Sequence, residues 1–305
     1  MTQGDMILYE PFTASMGRRF RVRRVIHTQK TAFQLVEVVD SPDFGVTLFL
    51  DRRFQTSEKD EFFYHESLVH PAMMLHLDPQ RVLIIGGGDG GTMEEVLKYP
   101  SVRSVTMVEL DGEVVAIAKA YLRSICGGAF EDPRVRLLIG DGRRFVEETA
   151  ETFDVILLDL TDPMEPSKYV YTREFYALCA ARLRPGGILA LHNDSPFFFP
   201  EAYNVITKTL DAVFPHRRQY AAYIVGYMLD FAFSVCAMDD VLNVEETELA
   251  RRAADRGIHD LLSYTPQLLE RFRTLPGYMQ RILDQPCAVS TDAAPFVIST
   301  EPFED

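Results

Sequence analysis

The stretch Arg81-Val-Leu-Ile-Ile-Gly-Gly-Gly-Asp-Gly-Gly-Thr92 places a run of aliphatic residues directly before a glycine-rich loop. Residues 92–98 then carry helical spacing, so a strand, a tight turn and a helix follow one another. Glycines at such a turn let the backbone bend sharply and come close to a ligand. By itself the loop predicts only that a nucleotide or nucleoside binds here.

The same pattern of apolar strand and helix continues downstream of this loop. Strands buried on both faces and alternating with helices are typical of a doubly wound parallel sheet, so the predicted fold is α/β and Rossmann-like. Pro185-Gly186 is predicted to be the turn that feeds the fifth strand. Further strands are predicted at 104–108, 135–139, 155–158, 187–191 and near 231–237, with helices at 92–98, 112–122, 143–149, 172–183, near 200–213 and within 245–282.

The N-terminal part of the chain has a different pattern. Residues 33–39 alternate and are rich in β-formers, residues 46–50 form a second such run, and residues 19–23 a third. A helical pattern follows over 58–77. We therefore expect two domains, an N-terminal antiparallel β domain over residues 1–75 and a Rossmann-like catalytic domain with C-terminal helices over residues 76–305.

Composition restricts the function further. The chain has 305 residues and a net charge of −14, which argues against a nucleic-acid partner and suits a cationic ligand. Its four cysteines are far apart, so we expect neither a disulfide framework nor a zinc site. No apolar run is long enough to span a membrane, and residues 1–11 do not resemble a secretory signal. A cytoplasmic protein is predicted.

Acidic residues occur at the end of each successive predicted strand of the parallel sheet. Ligands of open α/β sheets bind at the carboxyl ends of the strands, so these acids should lie on one rim. Each acid alone is equally compatible with a turn or a helix N-cap. Together they predict a ligand with ribose hydroxyls and several positive charges. The strand ends carry Asp89 in the loop, Glu109, Asp141-Gly142, Asp159 with Asp162, and His192-Asn-Asp194.

These motifs, taken in order, resemble those of the spermidine synthases, or polyamine aminopropyltransferases. The resemblance rests on the loop 86–91, on Glu109, on Asp141-Gly142 and on Asp159-Leu-Thr-Asp162-Pro. It extends to the N-terminal part through Leu50-Asp51, Phe54-Gln-Thr56 and the run from Asp60 to Glu66. It covers nearly the whole chain, and it implies a fold like that of methyltransferases that use S-adenosylmethionine.

The resemblance implies a reaction and a role for each matching residue. Decarboxylated S-adenosylmethionine would be the co-substrate, an aminopropyl group would pass to a di- or polyamine, and methylthioadenosine would leave. It implies no metal, no permanently bound cofactor, and a homodimer or homotetramer. The implied residues are Asp159 as the base; Gln55, Tyr64, His65, Gly86, Gly87, Gly88 and Asp89 around the donor; Glu109 at its ribose; Asp141 and Gly142 at its adenine; and Asp162, Tyr64, Tyr227 and Asp230 at the acceptor.

Some stretches differ from those common in spermidine synthases. They are Leu160-Thr161, His192-Asn-Asp194 and residues 223–231. The last of these, with residues 290–296, is more similar to the branch that uses agmatine or longer polyamines, so the acceptor stays open. Two alternatives remain as well, a methyltransferase that uses intact S-adenosylmethionine and a nonenzymatic polyamine or nucleoside sensor. Asp89 disfavours the intact donor, because its carboxylate would repel the carboxylate of that donor.

Overall fold

The computed structural model describes residues 6–164, 167–267 and 274–298. Its N-terminal part consists of a two-stranded hairpin and a four-stranded antiparallel sheet, which confirms the predicted antiparallel β structure of this region. The hairpin strands are β1 (Met6–Thr13) and β2 (Met16–Val22), and the sheet strands are β3 (Arg24–Lys30), β4 (Leu35–Ser41), β5 (Gly45–Leu50) and β6 (Arg53–Ser57).

A seven-stranded sheet forms the rest of the fold, in the order β12-β13-β11-β10-β7-β8-β9. Strands β7 to β11 run parallel, and β13 and β12 are added antiparallel at one edge, which confirms the Rossmann-like prediction. Strand β12 was not predicted from the sequence. The strands are β7 (Arg81–Gly86), β8 (Ser104–Glu109), β9 (Val135–Ile139), β10 (Phe153–Asp159), β11 (Leu183–His192), β12 (His216–Ile224) and β13 (Leu229–Ala237).

Helices cover both faces of this sheet. Within the region predicted to be helical, 245–282, residues 246–255 and 277–282 are helical, whereas residues 256–265 are not. Helices within the described residues include α1 (Glu61–Leu75), α2 (Gly91–Leu97), α3 (Gly112–Tyr121), α4 (Arg123–Cys126), α5 (Gly142–Glu148), α6 (Arg173–Arg182), α7 (Pro200–Asp211), α8 (Glu246–Asp255) and α9 (Gly277–Leu283). In the described part of the chain, none of them is long and apolar enough to cross a membrane.

Pro185-Gly186 was predicted to precede the fifth strand, but it lies inside this strand, β11. Strand β11 begins at Leu183, and its register against β10 slips between the first two pairs, Phe153 with Leu183 and Val155 with Ile188. Gly186 has φ 76° and donates its backbone N–H to the Asp239 carboxylate at 2.7 Å. A proline has no N–H for the ladder, and an irregularity of this kind is where a strand tolerates one.

Two apolar cores lie on opposite faces of the seven-stranded sheet. Alternate residues of β7 divide between them, with Val82 and Ile84 in one core and Leu83 and Ile85 in the other. Helix α1 packs in the first core, although the predicted division at residue 75 assigned it to the N-terminal domain. The two-domain division stays a prediction, and the four-stranded sheet meets the rest of the fold at α3, where Val36, Val38 and Leu48 share an apolar core with Val114 and Ile117.

Candidate active site

The candidate site lies between the carboxyl ends of the parallel strands β7 and β10, where the order of the strands in the sheet reverses. Gly86 at the end of β7 pairs with Asp159 at the end of β10. A Cβ on Gly86 would lie 2.0 Å from the Asp159 carbonyl oxygen, and the Gly86 φ of +83° is also one that glycine accommodates. Gly87 donates its N–H to the same oxygen at 2.9 Å. The glycine loop is thus held directly against Asp159.

Hydroxyl groups from two helices fix the Asp159 carboxylate. Tyr64 of α1 donates to Oδ1 at 3.0 Å, and Thr92 of α2 donates to Oδ2 at 2.7 Å. Burial raises the pKa of Asp159 and repulsion by Asp89 adds to this, outweighing the two hydrogen bonds, which lower it. Thr92 was not predicted, although it stands in the first turn of the helix that follows the loop.

Asp89, inside the glycine loop, has a different environment. It accepts the Gly91 N–H at 2.8 Å, and one of its oxygens lies 3.5 Å from Nε2 of the buried His65. Burial raises the pKa of Asp89. The charge of His65 and these hydrogen bonds lower it by more than burial raises it, so the net shift of the Asp89 pKa is downward. Burial likewise opposes protonation of His65, yet Asp89 and Glu61 raise the pKa of its imidazole well above the usual value.

Glu61 supports this arrangement from the first turn of α1. Its Oε2 lies 2.7 Å from Nδ1 of His65, so the imidazole stands between two carboxylates. Glu61 was not predicted, but its spacing of four residues from His65 on one helix is the available signal.

The environments of the two site carboxyls therefore push their pKa values apart. Such a split is the usual sign that two carboxyls have different chemical roles. Asp89 is kept anionic, whereas Asp159 is the better proton acceptor.

The same three side chains also have the spacing of a metal site. One possible ligand atom from each of His65, Asp89 and Asp159 lies within 4.8 Å of the other two. His65 would have to be neutral to ligate a metal ion, and it would then lose its charge pairing with Asp89 and Glu61.

Glu109, at the end of β8, lies at the other side of the loop. Its Oε1 accepts the Asp111 N–H at 2.8 Å, and a Cβ on Gly88 would lie 3.1 Å from its Oε2. Burial raises the Glu109 pKa to about 7, with further contributions from Asp111 and Asp159. A carboxylate here can accept two hydroxyl hydrogen bonds, as a ribose requires.

Asp141 and Gly142 occupy the same edge of the sheet, at the start of α5. The Asp141 carboxylate is exposed and accepts the N–H groups of Arg143 at 2.8 Å and of Arg144 at 3.2 Å as the helix N-cap. A Cβ on Gly142 would lie 2.4 Å from Cγ2 of Ile85, so this position is packed tightly against β7. Their predicted contact with an adenine stays a prediction.

Aromatic rings form the opposite wall of the site. The Tyr227 ring centroid lies 6.2 Å from that of Tyr64 and 5.4 Å from that of Phe231. The Tyr227 hydroxyl donates to the backbone carbonyl of Gln55 at 2.8 Å. The side-chain amide of Gln55 instead donates to the Arg53 carbonyl at 3.2 Å, so Gln55 supports Tyr227 through its backbone.

The structure does not bring Asp230 to this wall. Side chains alternate along a strand, and because Phe231 faces Tyr64 at a centroid distance of 6.3 Å, Asp230 lies on the other face of the sheet. It is exposed and interacts electrostatically with Tyr278. Asp162 is half-buried and lies close enough to Asp194 to raise its pKa.

His192 ends β11, Asp194 lies two residues beyond it, and both stand on the rim. His192 Nε2 lies 2.8 Å from the Leu160 carbonyl oxygen, and its ring stacks on Phe231 at 4.8 Å. Asp194 is also buried, and within the described part of the chain neither Nδ1 of His192 nor Oδ2 of Asp194 has a hydrogen-bond partner. Burial raises the Asp194 pKa well above its usual value, and Asp162 adds to the shift. Both positions were noted at the strand end without a role.

Two protein-family models match most of the chain. Residues 61–247 match the model of the spermine/spermidine synthase domain, and residues 9–58 match that of the spermidine synthase tetramerisation domain. The chain belongs to the spermine/spermidine synthase family. The resemblance seen in the sequence motifs is therefore confirmed, and the family boundary between residues 58 and 61 places α1 with the synthase domain.

Relatives within the spermine/spermidine synthase family cover nearly all of the chain. The polyamine aminopropyltransferase of Nitrosomonas europaea is 38% identical over 91% of this chain and 86% of its own length. That of Korarchaeum cryptofilum is 37% identical over 98% and 93%. A crystal structure of spermidine synthase in complex with the transition state analogue AdoDATO superimposes with a TM-score of 0.86, at 31% identity over 91% of this chain and 94% of that one.

Proposed function

We propose that this chain transfers the aminopropyl group of decarboxylated S-adenosylmethionine to a di- or polyamine and releases methylthioadenosine, with Asp159 as the base. The single observation that carries the assignment of roles is the opposite shift of two neighbouring carboxyl pKa values. The anionic Asp89 suits the terminal ammonium of the donor. Asp159, whose pKa is raised, suits removal of a proton from the acceptor.

The acceptor must be deprotonated before it attacks. An alkylamine has a pKa of about 10.4 and is mostly ammonium at neutral pH. An oxygen of Asp159 can take the proton while the nitrogen lone pair attacks the carbon next to sulfur. The C–S bond breaks as the C–N bond forms, and sulfur leaves as the neutral thioether of methylthioadenosine. Tyr64 and Thr92 orient the carboxylate for this transfer through their hydrogen bonds to it.

Donor selectivity follows from the same charges. Asp89 lies where the tail of the donor would bind, and intact S-adenosylmethionine carries a carboxylate on that tail. The repulsion disfavours the intact donor and with it methyl transfer. Glu109 would hold the ribose hydroxyls, and Asp141 with Gly142 the adenine.

The acceptor pocket would lie between the aromatic wall and the acids Asp162 and Asp194. Among the described residues, Oδ2 of Asp194 and Nδ1 of His192 are buried without a partner, so they favour a ligand with several hydrogen-bonding groups, as an amine has. Tyr64 and Tyr227 would flank the methylene chain. Asp230 was also predicted to line this pocket, but its exposed position leaves it without support.

Assembly into a homo-oligomer is supported by the N-terminal hairpin. It exposes the apolar side chains of Met6, Ile7, Tyr9 and Met16, and Ile7 and Tyr9 share one face of β1. Most of this hairpin lies within the segment that matches the tetramerisation domain. Exposed apolar groups that lie together mark interaction sites. We propose a homodimer or homotetramer, and the cytoplasmic location stays a prediction from the sequence.

The test is to incubate the purified protein with decarboxylated S-adenosylmethionine and, separately, putrescine, agmatine, spermidine and spermine. Methylthioadenosine release and product mass are followed, with the intact donor in parallel. We expect an acceptor heavier by one aminopropyl unit and no product from the intact donor. Methylation by the intact donor, or no turnover with any amine, would overturn the proposal.

A further inference from the structure

The turn between β12 and β13, residues 225–228, carries Tyr227 and is held by the N-terminal part of the chain. Asp60 accepts the Gly226 N–H at 2.6 Å, and the Gln55 carbonyl accepts the Tyr227 hydroxyl at 2.8 Å. The third attachment comes from the hairpin, where Arg18 Nη1 donates to the Tyr227 backbone carbonyl. A short turn fixed at its N–H, its carbonyl and its side chain has little freedom to reorient the Tyr227 ring.

Arg18 is itself held rigidly within the β1–β2 hairpin. Its Nη2 donates to Glu10 Oε1 at 2.6 Å, and its guanidinium carbon lies 4.3 Å from the centroid of the Phe12 ring. The two charged side chains are 13% and 2% exposed. Glu10 also accepts the Phe54 N–H at 3.2 Å, which ties the pair to β6. A planar guanidinium held by a carboxylate and an aromatic ring has a fixed orientation, and in Arg18 this orientation directs Nη1 at the Tyr227 carbonyl.

We propose that Arg18 is a positioning residue for the amine acceptor, acting through the Tyr227 carbonyl to hold the Tyr227 ring against the acceptor pocket. The inference rests on the proposed function. It follows from the contacts that Tyr227 makes, since its ring faces both Tyr64, which binds the base Asp159, and Phe231. If the turn moves, the wall that faces the acceptor moves with it.

The donor side of the site should not depend on Arg18. Asp89 is held by the Gly91 N–H and His65, and Glu109 by the Asp111 N–H, and none of these contacts involves a residue of the hairpin. Loss of Arg18 should therefore change the KM for the amine while leaving the KM for the donor unchanged. A merely structural role would instead lower stability and affect both substrates.

The variant has to avoid leaving a buried charge unpaired. Removal of Arg18 alone would leave Glu10 without its partner, which is strongly destabilising. The double variant Arg18→Met with Glu10→Gln removes both charges together, keeps an aliphatic chain against Phe12 and keeps an acceptor for the Phe54 N–H. The matched control is Arg23→Met, which breaks an exposed ion pair with Asp40 on a neighbouring strand and does not reach residues 225–228.

The experiment measures kcat and both KM values by methylthioadenosine release, together with the urea midpoint of unfolding. We expect the double variant to raise the amine KM by about tenfold, as loss of one charge-assisted hydrogen bond to the turn implies, with the donor KM unchanged. Arg18→Lys, which keeps a charge for Glu10 and one donor for the carbonyl, should recover part of the amine affinity. Arg23→Met should behave as wild type.

The outcomes separate this inference from the proposed function. An active double variant with an unchanged amine KM would overturn the role of Arg18 and leave the proposed function standing. Parallel rises in both KM values with a lower urea midpoint would overturn it as well, in favour of a structural role. A wild-type chain that turned over no amine would refute the proposed function itself.

Discussion

Asp159 and Asp89 are neighbouring residues of the same type in different surroundings. They face the same small space, yet one interacts with hydroxyls and the other with an imidazole and a backbone N–H. The imidazole of His65 lies between Asp89 and Glu61, and its single positive charge can neutralise only one of these two carboxylates. The net negative charge that remains is what a cationic donor and a cationic acceptor together require.

At this scale the first prediction concerns the base. Asp159→Asn keeps the size of the side chain and removes its ability to accept a proton, so kcat should fall by about 10²–10⁴-fold. The same release assay measures it, with the exposed Asp43→Asn as a control of equal charge change. An Asp159→Asn variant with wild-type kcat would show that the base lies elsewhere.

The second prediction concerns the pH dependence of donor binding. Because the Glu109 pKa is raised to about 7, the carboxylate is ionised above this pH and becomes protonated as the pH falls through it. If only the ionised form accepts both ribose hydroxyls, the donor KM should rise by about tenfold for each pH unit below 7. Measuring that KM across the neutral range tests this. Glu109→Gln should give a donor KM that is high but independent of pH. If the donor KM of this variant still changed with pH, the pH dependence would belong to another group.

At the scale of elements, the site depends on how closely β7 and β10 approach at their ends. The loop can lie on Asp159 only because Gly86 has no side chain, and α2 then begins where Thr92 reaches the carboxylate. Helix α1 meets the loop from the other side, where a Cβ on Gly91 would lie 2.2 Å from Cε1 of His65. Strand ends and helix starts are therefore packed without spare volume.

The third prediction tests this close approach. Gly86→Ala introduces a Cβ at a φ of +83° and at 2.0 Å from a backbone oxygen that cannot move independently of β10. We expect the free energy of unfolding to fall by about 2 kcal/mol or more, measured by urea denaturation. Gly128→Ala is the matched control, because nothing lies within 4 Å of its added Cβ. Equal stability of the two variants would contradict the argument.

At the scale of the whole molecule, the C-terminal region holds the helix that carries Tyr64 and His65. Arg252 and Arg256 donate to backbone carbonyls at the end of α1, at distances of 2.6 to 3.1 Å. The buried Glu66 carboxylate on α1 accepts N–H groups of residues 262–264 at 2.8, 2.7 and 2.7 Å. Distant parts of the chain thus fix the helix whose Tyr64 reaches Asp159.

The fourth prediction removes one of these attachments. Glu66→Ala leaves three backbone N–H groups without their acceptor, so the free energy of unfolding should fall by about 3 kcal/mol. Urea denaturation measures the change. Glu148→Ala, which breaks only an exposed pair with Arg144, should leave stability unchanged. A Glu66→Ala variant as stable as the Glu148→Ala control would show that residues 262–264 are held by other contacts.

Residue patterns alone were sufficient to predict the parallel sheet and the order of its site acids. Apolar runs with period-two or continuous patterning predicted β7 to β11, and each strand end placed its acid on one rim, because parallel strands share one direction. Glu109 and Asp159 could therefore be placed on this rim from their positions in the sequence, and the glycines between β7 and α2 predicted the close approach that Gly86 makes.

The packing of distant segments determined what local patterns do not encode. Strand β12 was missed because polar and apolar residues do not alternate along this edge strand. Asp230 was predicted to line the acceptor pocket and does not, because a shift of one residue moves a side chain to the other face of a sheet. The contacts of Tyr64 with Asp159 and of Arg18 with Tyr227 join positions far apart in the chain. Such pairs depend on how the helices and the hairpin pack against the sheet, because packing alone brings distant residues within hydrogen-bond distance.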